Sequence, residues 1–345
     1  MAIRISTSRL ERLTEAIFLR AGFPGRAAGE VARHLVEAEA AGVASHGINR
    51  VAYYLSLLDG GMLSTDAEPA LTRKTEVVAL VDGNEGLGIP AANLAVEYLV
   101  EAARSHGVAA AGLFNCGHTG RMGAYAETAA DAGCVLISFG GAGRRLYPCV
   151  VPFGSREPFF STNPFSIGAP GGRHSPAVLD IAASIVAGGK VAIAKATGQS
   201  LPDGYIVDKA GNPSTDPDDY IDGGALLPFG GVKGSGLGLM AELITTAMMG
   251  EAFEFNWLFL AVKADVFRPR QSCDDDADTV IDDLHGLNPA SGFDRVRMPG
   301  EVEAQRTLEA RSRGLDIADG VWAGFVASAE RFGIDVGAPP GEHPG

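Results

Sequence analysis

The stretch that decides the fold reads Val108-Ala109-Ala110-Ala111-Gly112-Leu113-Phe114, followed by the turn Asn115-Cys116-Gly117-His118-Thr119-Gly120. Its first seven residues form an apolar run typical of a buried strand. Residues 122–132 then show helical periodicity, and residues 134–139 form another apolar strand. Strand, helix and strand at this spacing predict a βαβ unit with parallel pairing. The turn would lie at the carboxyl end of a strand, where open α/β sheets bind ligands.

The turn at residues 115–120 supports two interpretations. Its glycines would let backbone N–H groups approach a phosphate closely, and the following helix N-terminus favours negative charge. A plain βα turn that uses glycine twice explains the same pattern. His118 would then polarise a substrate oxygen or merely cap the helix.

A second candidate site precedes this unit, in Ser45-His46-Gly47-Ile48-Asn49-Arg50. A helical run over residues 27–41 stops at Gly42, and Ser45 is then predicted to be the N-cap of a new helix. His46 and Arg50 would share one helix face, with Tyr54 one turn further along. An imidazole, a guanidinium and a phenol together suit a small carboxylate whose oxygen is protonated. The simpler alternative, which spacing alone favours, is a capping serine, a solvated histidine and an arginine paired with a glutamate.

Composition sets the limits on partners and location. The chain has 345 residues and a formal net charge of −14, which excludes nucleic acid and anionic membranes as expected partners because both would repel it. Four scattered cysteines without a C-x-x-C pair are read as reduced thiols, and no apolar run approaches membrane-spanning length. We expect a cytoplasmic protein. The predicted division is a helical region over residues 1–70, with helices of residues 301–335 packing on it, and an α/β domain over residues 71–300.

A glycine loop at residues 230–238 precedes a helical run that ends at Met249. It lacks the strand and acidic residue of a Rossmann fingerprint, and it has no Gly-Lys-Ser/Thr of a Walker A loop. Lys233 is nevertheless the best candidate cation for a phosphate, because it stands at a helix start. No metal site is predicted, since the seven histidines include no H-x-x-x-H or H-E-x-x-H spacing.

Seven short motifs in order carry a family resemblance. They are Ser45-His46-Gly47-x-x-Arg50, Gly117-His118-Thr119-Gly120, Arg156-Glu157-Pro158, Thr162-Asn163-Pro164, Leu179-Asp180-Ile181-Ala182, Leu227-Pro228-x-Gly230-Gly231-x-Lys233-Gly234 and Pro299-Gly300-Glu301. With them the chain resembles, from about residue 4 to residue 332, the malate/L-lactate dehydrogenase family that is unrelated to the Rossmann-type enzymes. That family also contains sulfolactate, ureidoglycolate and diketogulonate enzymes and a cyclic imine reductase.

The resemblance implies a three-layer α/β fold with a mixed sheet and a cofactor domain of non-Rossmann type. It implies hydride transfer between NAD or NADP and C2 of a small 2-hydroxy or 2-oxo carboxylic acid, in a homodimer with its active site near the subunit boundary. A cyclic imine reductase of the same family is the alternative. A non-enzymatic carboxylate-binding protein is the alternative from a different class.

The resemblance also implies residue roles. Arg50 would anchor the substrate carboxylate, His46 would carry the proton with Ser45 as its relay partner, and His118 competes for the acid/base role. Tyr54 and Thr162 would complete the substrate pocket. The residues implied in cofactor binding are His118, Thr119, Gly120, Arg121, Met122, Asp180, Ile181, Ala182, Lys233, Gly234, Pro299, Gly300 and Glu301. The chain departs from its relatives at residues 139–145 and in a short connection at residues 250–256, so no family roles are carried over there.

Overall fold

The computed structural model describes residues 2–337. The strands are β1 (Ala2–Ile5), β2 (Ala70–Arg73), β3 (Val78–Gly86), β4 (Val108–Cys116), β5 (Cys134–Gly141), β6 (Pro164–Ala169), β7 (Ala177–Ala182), β8 (Ile206–Val207), β9 (Pro213–Ser214), β10 (Ala225–Leu226), β11 (Asn256–Lys263) and β12 (Leu315–Ala318). The helices are α1 (Thr7–Arg20), α2 (Gly25–Ala40), α3 (Arg50–Asp59), α4 (Gly88–His106), α5 (Met122–Asp131), α6 (Gly188–Ala196), α7 (Pro217–Ile221), α8 (Val232–Met249), α9 (Arg270–His285), α10 (Glu301–Arg313) and α11 (Asp319–Glu330).

The central sheet has seven strands in the order β2-β3-β4-β11-β5-β6-β7. Only β3 and β4 pair in parallel, and every other neighbouring pair is antiparallel. The strand–helix–strand unit of residues 108–139 exists, but its predicted parallel pairing is wrong, because β11 lies between β4 and β5. Trp257, Phe259 and Ala261 of β11 are buried and fill the centre of the sheet. The predicted mixed α/β class is confirmed.

The loops that carry the candidate site residues lie at one edge of this sheet. The pairings make β3, β4, β5 and β7 run in the same direction, so their carboxyl ends share that edge. The antiparallel strands β6 and β11 begin at the same edge. The turn after β4, the loop after β5, Thr162 before β6 and the segment before β11 therefore all lie along one side of the molecule.

Helices cover both faces of the sheet in three layers. The helices α4 and α5 pack on one face against a core that includes Leu99, Tyr125 and Phe259. The helix α8 covers the other face, against β5 and β11. Several side chains of that second face, such as Leu258 and Phe139, stay only half-buried.

A second hydrophobic core joins the two ends of the described chain. The strands β1 and β12 pair, and Phe18, Tyr54 and Ile48 pack in one cluster with Trp322 and Phe325. The helices at both ends therefore form one helical layer. The exact domain boundaries at residues 70 and 300 stay a prediction. No helix within residues 2–337 has the length and apolar character needed to cross a bilayer.

Candidate active site

The segment that carries Ser45 and His46 does not begin a helix as predicted. Residues Ala44–His46 form one turn of 3-10 helix, and α3 starts only at Arg50. The predicted N-cap is wrong because the backbone is extended at Gly47 after this turn, and Asn49 takes the N-cap position of α3. Just before that helix, the backbone N–H of Ile48 donates to Glu39 at 3.1 Å. His46 and Arg50 therefore do not share a helix face.

The two candidate histidines nevertheless meet. The rings of His46 and His118 stack at a centroid distance of 5.3 Å and an interplanar angle of 24°. The hydroxyl of Ser45 lies 2.9 Å from Nδ1 of His46. The loop after α2 and the turn after β4 thus present two imidazoles in one place, as the family resemblance implies.

Tyr54 holds the ring of His118 in place through a hydrogen bond. Its hydroxyl lies 2.8 Å from Nδ1 of His118, and the backbone N–H of Gly120 donates to the same atom at 3.2 Å. An atom that accepts from a backbone N–H carries no proton of its own, so a neutral His118 holds its proton on Nε2. The phenol then donates to Nδ1 as well. Tyr54 is buried, and its hydrogen bond to Nδ1 fixes the orientation of the ring and thus the direction of the Nε2–H group of His118.

Arg50 lies beside both histidines without a carboxylate partner among residues 2–337. Its Nε donates to the carbonyl oxygen of Ser45 at 2.7 Å, and its guanidinium lies 5.3 Å from the ring centroid of Tyr53. This hydrogen bond therefore holds Arg50 next to the Ser45–His46 turn, although the two do not share a helix. The remaining N–H groups of the guanidinium can bind a carboxylate in the bidentate manner.

Both imidazoles are neutral near pH 7. Burial, followed by the charges of Arg50 and Arg121, lowers the pKa of His46 to about 4. Burial and the charge of Arg50 also lower the pKa of His118 well below its usual value. A site of this kind holds a proton acceptor next to a free cation.

Glu254 is a residue of this cluster that sequence reasoning missed. It stands just before β11, in the short connection whose family role could not be transferred, and it is 7% exposed. Its carboxylate accepts the backbone N–H of His118, while burial raises its pKa to about 7 against the opposing charge of Arg50. No motif signalled it; only the interposition of β11 beside β4 brings it to the site.

The N–H groups of the turn after β4 are mostly committed within the chain. Those of Gly117, His118, Gly120, Arg121 and Gly123 donate to Gly86, Glu254, His118, His34 and Asp180, respectively. Because these N–H groups are already used, the turn is better suited to positioning side chains than to binding a phosphate through its backbone.

The remaining residues of the turn are buried. The hydroxyl of Thr119 contacts the sulfur of Met122, and Arg121 forms a bidentate ion pair with Glu127. Gly120 has a φ of +74°, and a Cβ there would lie 2.2 Å from Nε2 of His34. The predicted cofactor contacts of residues 119–122 stay a prediction.

The other predicted cofactor residues lie around β7. Asp180 accepts the N–H of Gly123 at 2.7 Å, which ties this strand to the start of α5. Ile181 and Ala182 continue β7 as half-buried residues. The carboxylate of Glu301 is occupied by His285, Arg295 and the N–H of Met298, and it holds the loop of Pro299 and Gly300 against Val178.

Lys233 and Gly234 open α8 next to the end of β7. A Cβ on Gly234 would lie 2.6 Å from the carbonyl oxygens of Ala183 and Phe229, so only glycine lets the helix start approach so closely. Lys233 is exposed there and has no ion pair within the described part of the chain.

Thr162 does not contact the histidine cluster. It precedes β6, which is three strands away from β4, or about 14 Å at the usual strand spacing. Its carbonyl oxygen accepts from Ala183, and the neighbouring Asn163 donates to Glu242. Thr162 is therefore grouped with the end of β7, and its predicted substrate contact stays a prediction.

At this edge of the sheet, the guanidinium of Arg50 is suited to bind a carboxylate, and the imidazoles of His46 and His118 are suited to transfer a proton beside it. An enzyme that acts on a small acid needs these groups. A family model described as malate/L-lactate dehydrogenase matches residues 5–325. The chain belongs to that family, and both the resemblance and an oxidoreductase role are thereby confirmed.

Named relatives show the range of the family. The chain is 39% identical to a Δ1-pyrroline-2-carboxylate/Δ1-piperideine-2-carboxylate reductase of Pseudomonas putida, over 74% of each chain. It is 30% identical to an NAD+ ureidoglycolate dehydrogenase of Escherichia coli O157:H7, over 95% of this chain and 96% of the relative. It is 36% identical to an NADP+ (2R)-3-sulfolactate dehydrogenase of Chromohalobacter salexigens, over 74% and 75%. The crystal structure of the Δ1-piperideine-2-carboxylate reductase of Pseudomonas syringae pv. tomato superposes with a TM-score of 0.85 at 31% identity, covering 94% of this chain and 99% of that one.

Proposed function

We propose that this protein transfers a hydride between NAD or NADP and C2 of a small 2-oxo or 2-hydroxy carboxylic acid. The observation that carries the proposal is the convergence of two stacked imidazoles, those of His46 and His118, with the free guanidinium of Arg50. A carboxylate bound by Arg50 would place its neighbouring C2 oxygen beside these rings. Proton transfer at that oxygen is what such a reaction requires of the protein.

The residues divide the work as follows. Arg50 binds the carboxylate through two parallel hydrogen bonds. His46, neutral near pH 7, accepts the proton of the C2 hydroxyl during oxidation and returns it during reduction. The bound carboxylate offsets the charge of Arg50, which is one of the causes of the low pKa of His46, so substrate binding favours its protonated form. Ser45 follows the change of tautomer, since a hydroxyl both donates and accepts.

The residues around β7 and α8 fit a dinucleotide. Lys233 supplies an unpaired cation at the start of a long helix, and the close packing at Gly234 holds it at the ligand-binding edge of the sheet. Asp180 and the loop of Pro299 border the same strand. The nicotinamide, when bound, supplies or accepts the hydride, and the protein contributes orientation and the proton.

The test is a panel of 2-oxo acids reduced with NADH and with NADPH. We expect oxidation of one reduced cofactor, and we expect Arg50→Lys to raise KM about 30-fold with little change in cofactor affinity, because the ammonium cannot bind both carboxylate oxygens. Cofactor binding without turnover of any acid or cyclic imine would instead support a carboxylate-binding protein. Turnover of Δ1-piperideine-2-carboxylate alone would favour the imine reductase alternative, which the 39% identity to such an enzyme supports.

We also propose a cytoplasmic homodimer. The outer face of α8 exposes Val232, Met240, Leu243 and Met248, each more than half exposed, above a sheet face that is only half-buried. An apolar patch of this kind is typical of an interface. All four cysteines are free thiols, as a reducing compartment favours. Light scattering of the purified protein should give twice the mass of the chain, and Leu243→Glu should reduce it to one chain.

A further inference from the structure

The acidic member of the histidine cluster is not used by the chemistry above. Glu254 is almost fully buried, lies against Gly117 and accepts the backbone N–H of His118. The groups that surround it are Arg50, Tyr53 and Tyr54 on α3, Cys116 and His118 at the end of β4, and Tyr147 on the loop after β5. Arg50 is the one cation among them.

Two other arginines nearby already have ion-pair partners: Arg121 forms its bidentate pair with Glu127, and Arg145 pairs with Glu251. Arg144 lies over the ring of Phe159 and is not among the groups that surround Glu254. Within residues 2–337 the cluster therefore offers one free guanidinium, and the groups next to it are phenols and a carboxylate. A first substrate carboxylate finds a partner here, whereas a second one meets Glu254.

We propose that Glu254 makes this site selective for substrates that carry a single carboxylate, with an uncharged or cationic remainder. This inference rests on the proposed function. Two like charges about 7 Å apart at an effective dielectric constant of about 20 repel one another enough to change a rate constant roughly 50-fold.

The selectivity depends on pH. Burial raises the pKa of Glu254 to about 7. Above this pH the carboxylate is charged and repels a second carboxylate, and below it the neutral acid does not. The preference for a monocarboxylate must therefore grow as the pH rises through 7.

The experiment compares 2-oxobutanoate with oxaloacetate, which differ by a methyl group in place of the second carboxylate. We expect the wild type to prefer 2-oxobutanoate in kcat/KM by about 20-fold at pH 8.5, and by less than about twofold at pH 6. Glu254→Gln keeps an acceptor for the N–H of His118 but cannot ionise, so its preference should be small and constant with pH. Glu101→Gln, which removes an exposed acid of α4 that forms no ion pair within the described residues, is the matched control and should behave as the wild type.

The outcomes separate this inference from the function it rests on. If both acids are reduced with a ratio that is constant with pH and unchanged by Glu254→Gln, the selectivity role is overturned while the dehydrogenase function stands. If no acid of the whole 2-oxo acid panel is reduced with NADH or NADPH, the proposed function fails and this inference with it. Should Glu254→Gln not fold, the pH profile of the wild-type ratio decides alone.

Discussion

Replacing each of the two stacked histidines in turn distinguishes the proton carrier from its support. Nδ1 of His118 receives two hydrogen bonds, from Tyr54 and from Gly120, whereas Nδ1 of His46 faces only the rotatable hydroxyl of Ser45. His46 can therefore change its protonation state at either nitrogen with little rearrangement. We expect His46→Ala to lower kcat by a factor of 10² to 10⁴, or about 3–5 kcal/mol in the barrier, as the loss of a positioned acid/base does.

The two variants should also differ in stability. His118→Ala leaves the buried hydroxyl of Tyr54 without its partner, which costs about 1–3 kcal/mol in the free energy of unfolding. His46→Ala leaves only the exposed Ser45 hydroxyl, so its unfolding free energy should fall by less than about 1 kcal/mol. Steady-state kinetics with saturating cofactor and urea unfolding measure the two effects, with Ser45→Ala as the control for the relay. A His46→Ala variant that keeps kcat within tenfold of the wild type, beside a His118→Ala variant that loses more, would refute this assignment.

Three further predictions concern the frame around these histidines and the cofactor. Burial lowers the pKa of His34 to about 3 from a usual 6.5, so the unfolded chain takes up the proton first, and the contribution of this group to stability falls with pH below 6.5, by about 2 kcal/mol at pH 5. His34→Gln, which can still accept from Arg121, should reduce the fall of the melting temperature between pH 7 and pH 5; part of the fall should remain, because the lowered pKa values of His46 and His118 act in the same direction. An unchanged acid slope would contradict this. Gly120→Ala should lower the unfolding free energy by at least about 2 kcal/mol more than Gly61→Ala in urea unfolding, because both positions have positive φ but only Gly120 faces His34, whereas Gly61 has open space. Lys233→Met should weaken NAD(P)H binding about tenfold in a fluorescence titration, whereas Lys190→Met, another exposed lysine at a helix start, should not; equal effects would remove Lys233 from the cofactor site.

Local sequence patterns predicted the long helices and strands, and they missed the strand pairings between residues that are distant in sequence. The helices α2 and α5 and the strands β4 and β5 lie within a few residues of their predicted bounds, since their periodicity is local. No strand was predicted at β6, because this stretch is rich in proline and glycine. The pairing of β1 with β12 joins residues about three hundred positions apart, and no spacing rule signals it.

The site divides in the same way. His46, Arg50, Tyr54 and His118 lie in one cluster, although the shared helix face predicted for His46 and Arg50 was wrong, and their roles stay a prediction. The capping role of Ser45 was wrong, since the extended backbone at Gly47 delays the start of α3 to Arg50. Glu254 could not be predicted, because its position depends on β11 entering the sheet between two strands that are neighbours in sequence.

The pairing of β1 with β12 has a consequence for biosynthesis. Ile48, Val51 and Tyr54, which are neighbours in sequence of His46 and Arg50, pack in a cluster completed by Ile317, Trp322 and Phe325. A ribosome makes these partners only after the whole sheet has been translated, so the nascent polypeptide cannot complete the cluster beneath the candidate active site until then. Activity in this protein thus reports on a fully synthesised chain, and truncation before residue 315 should abolish it even though every motif is present.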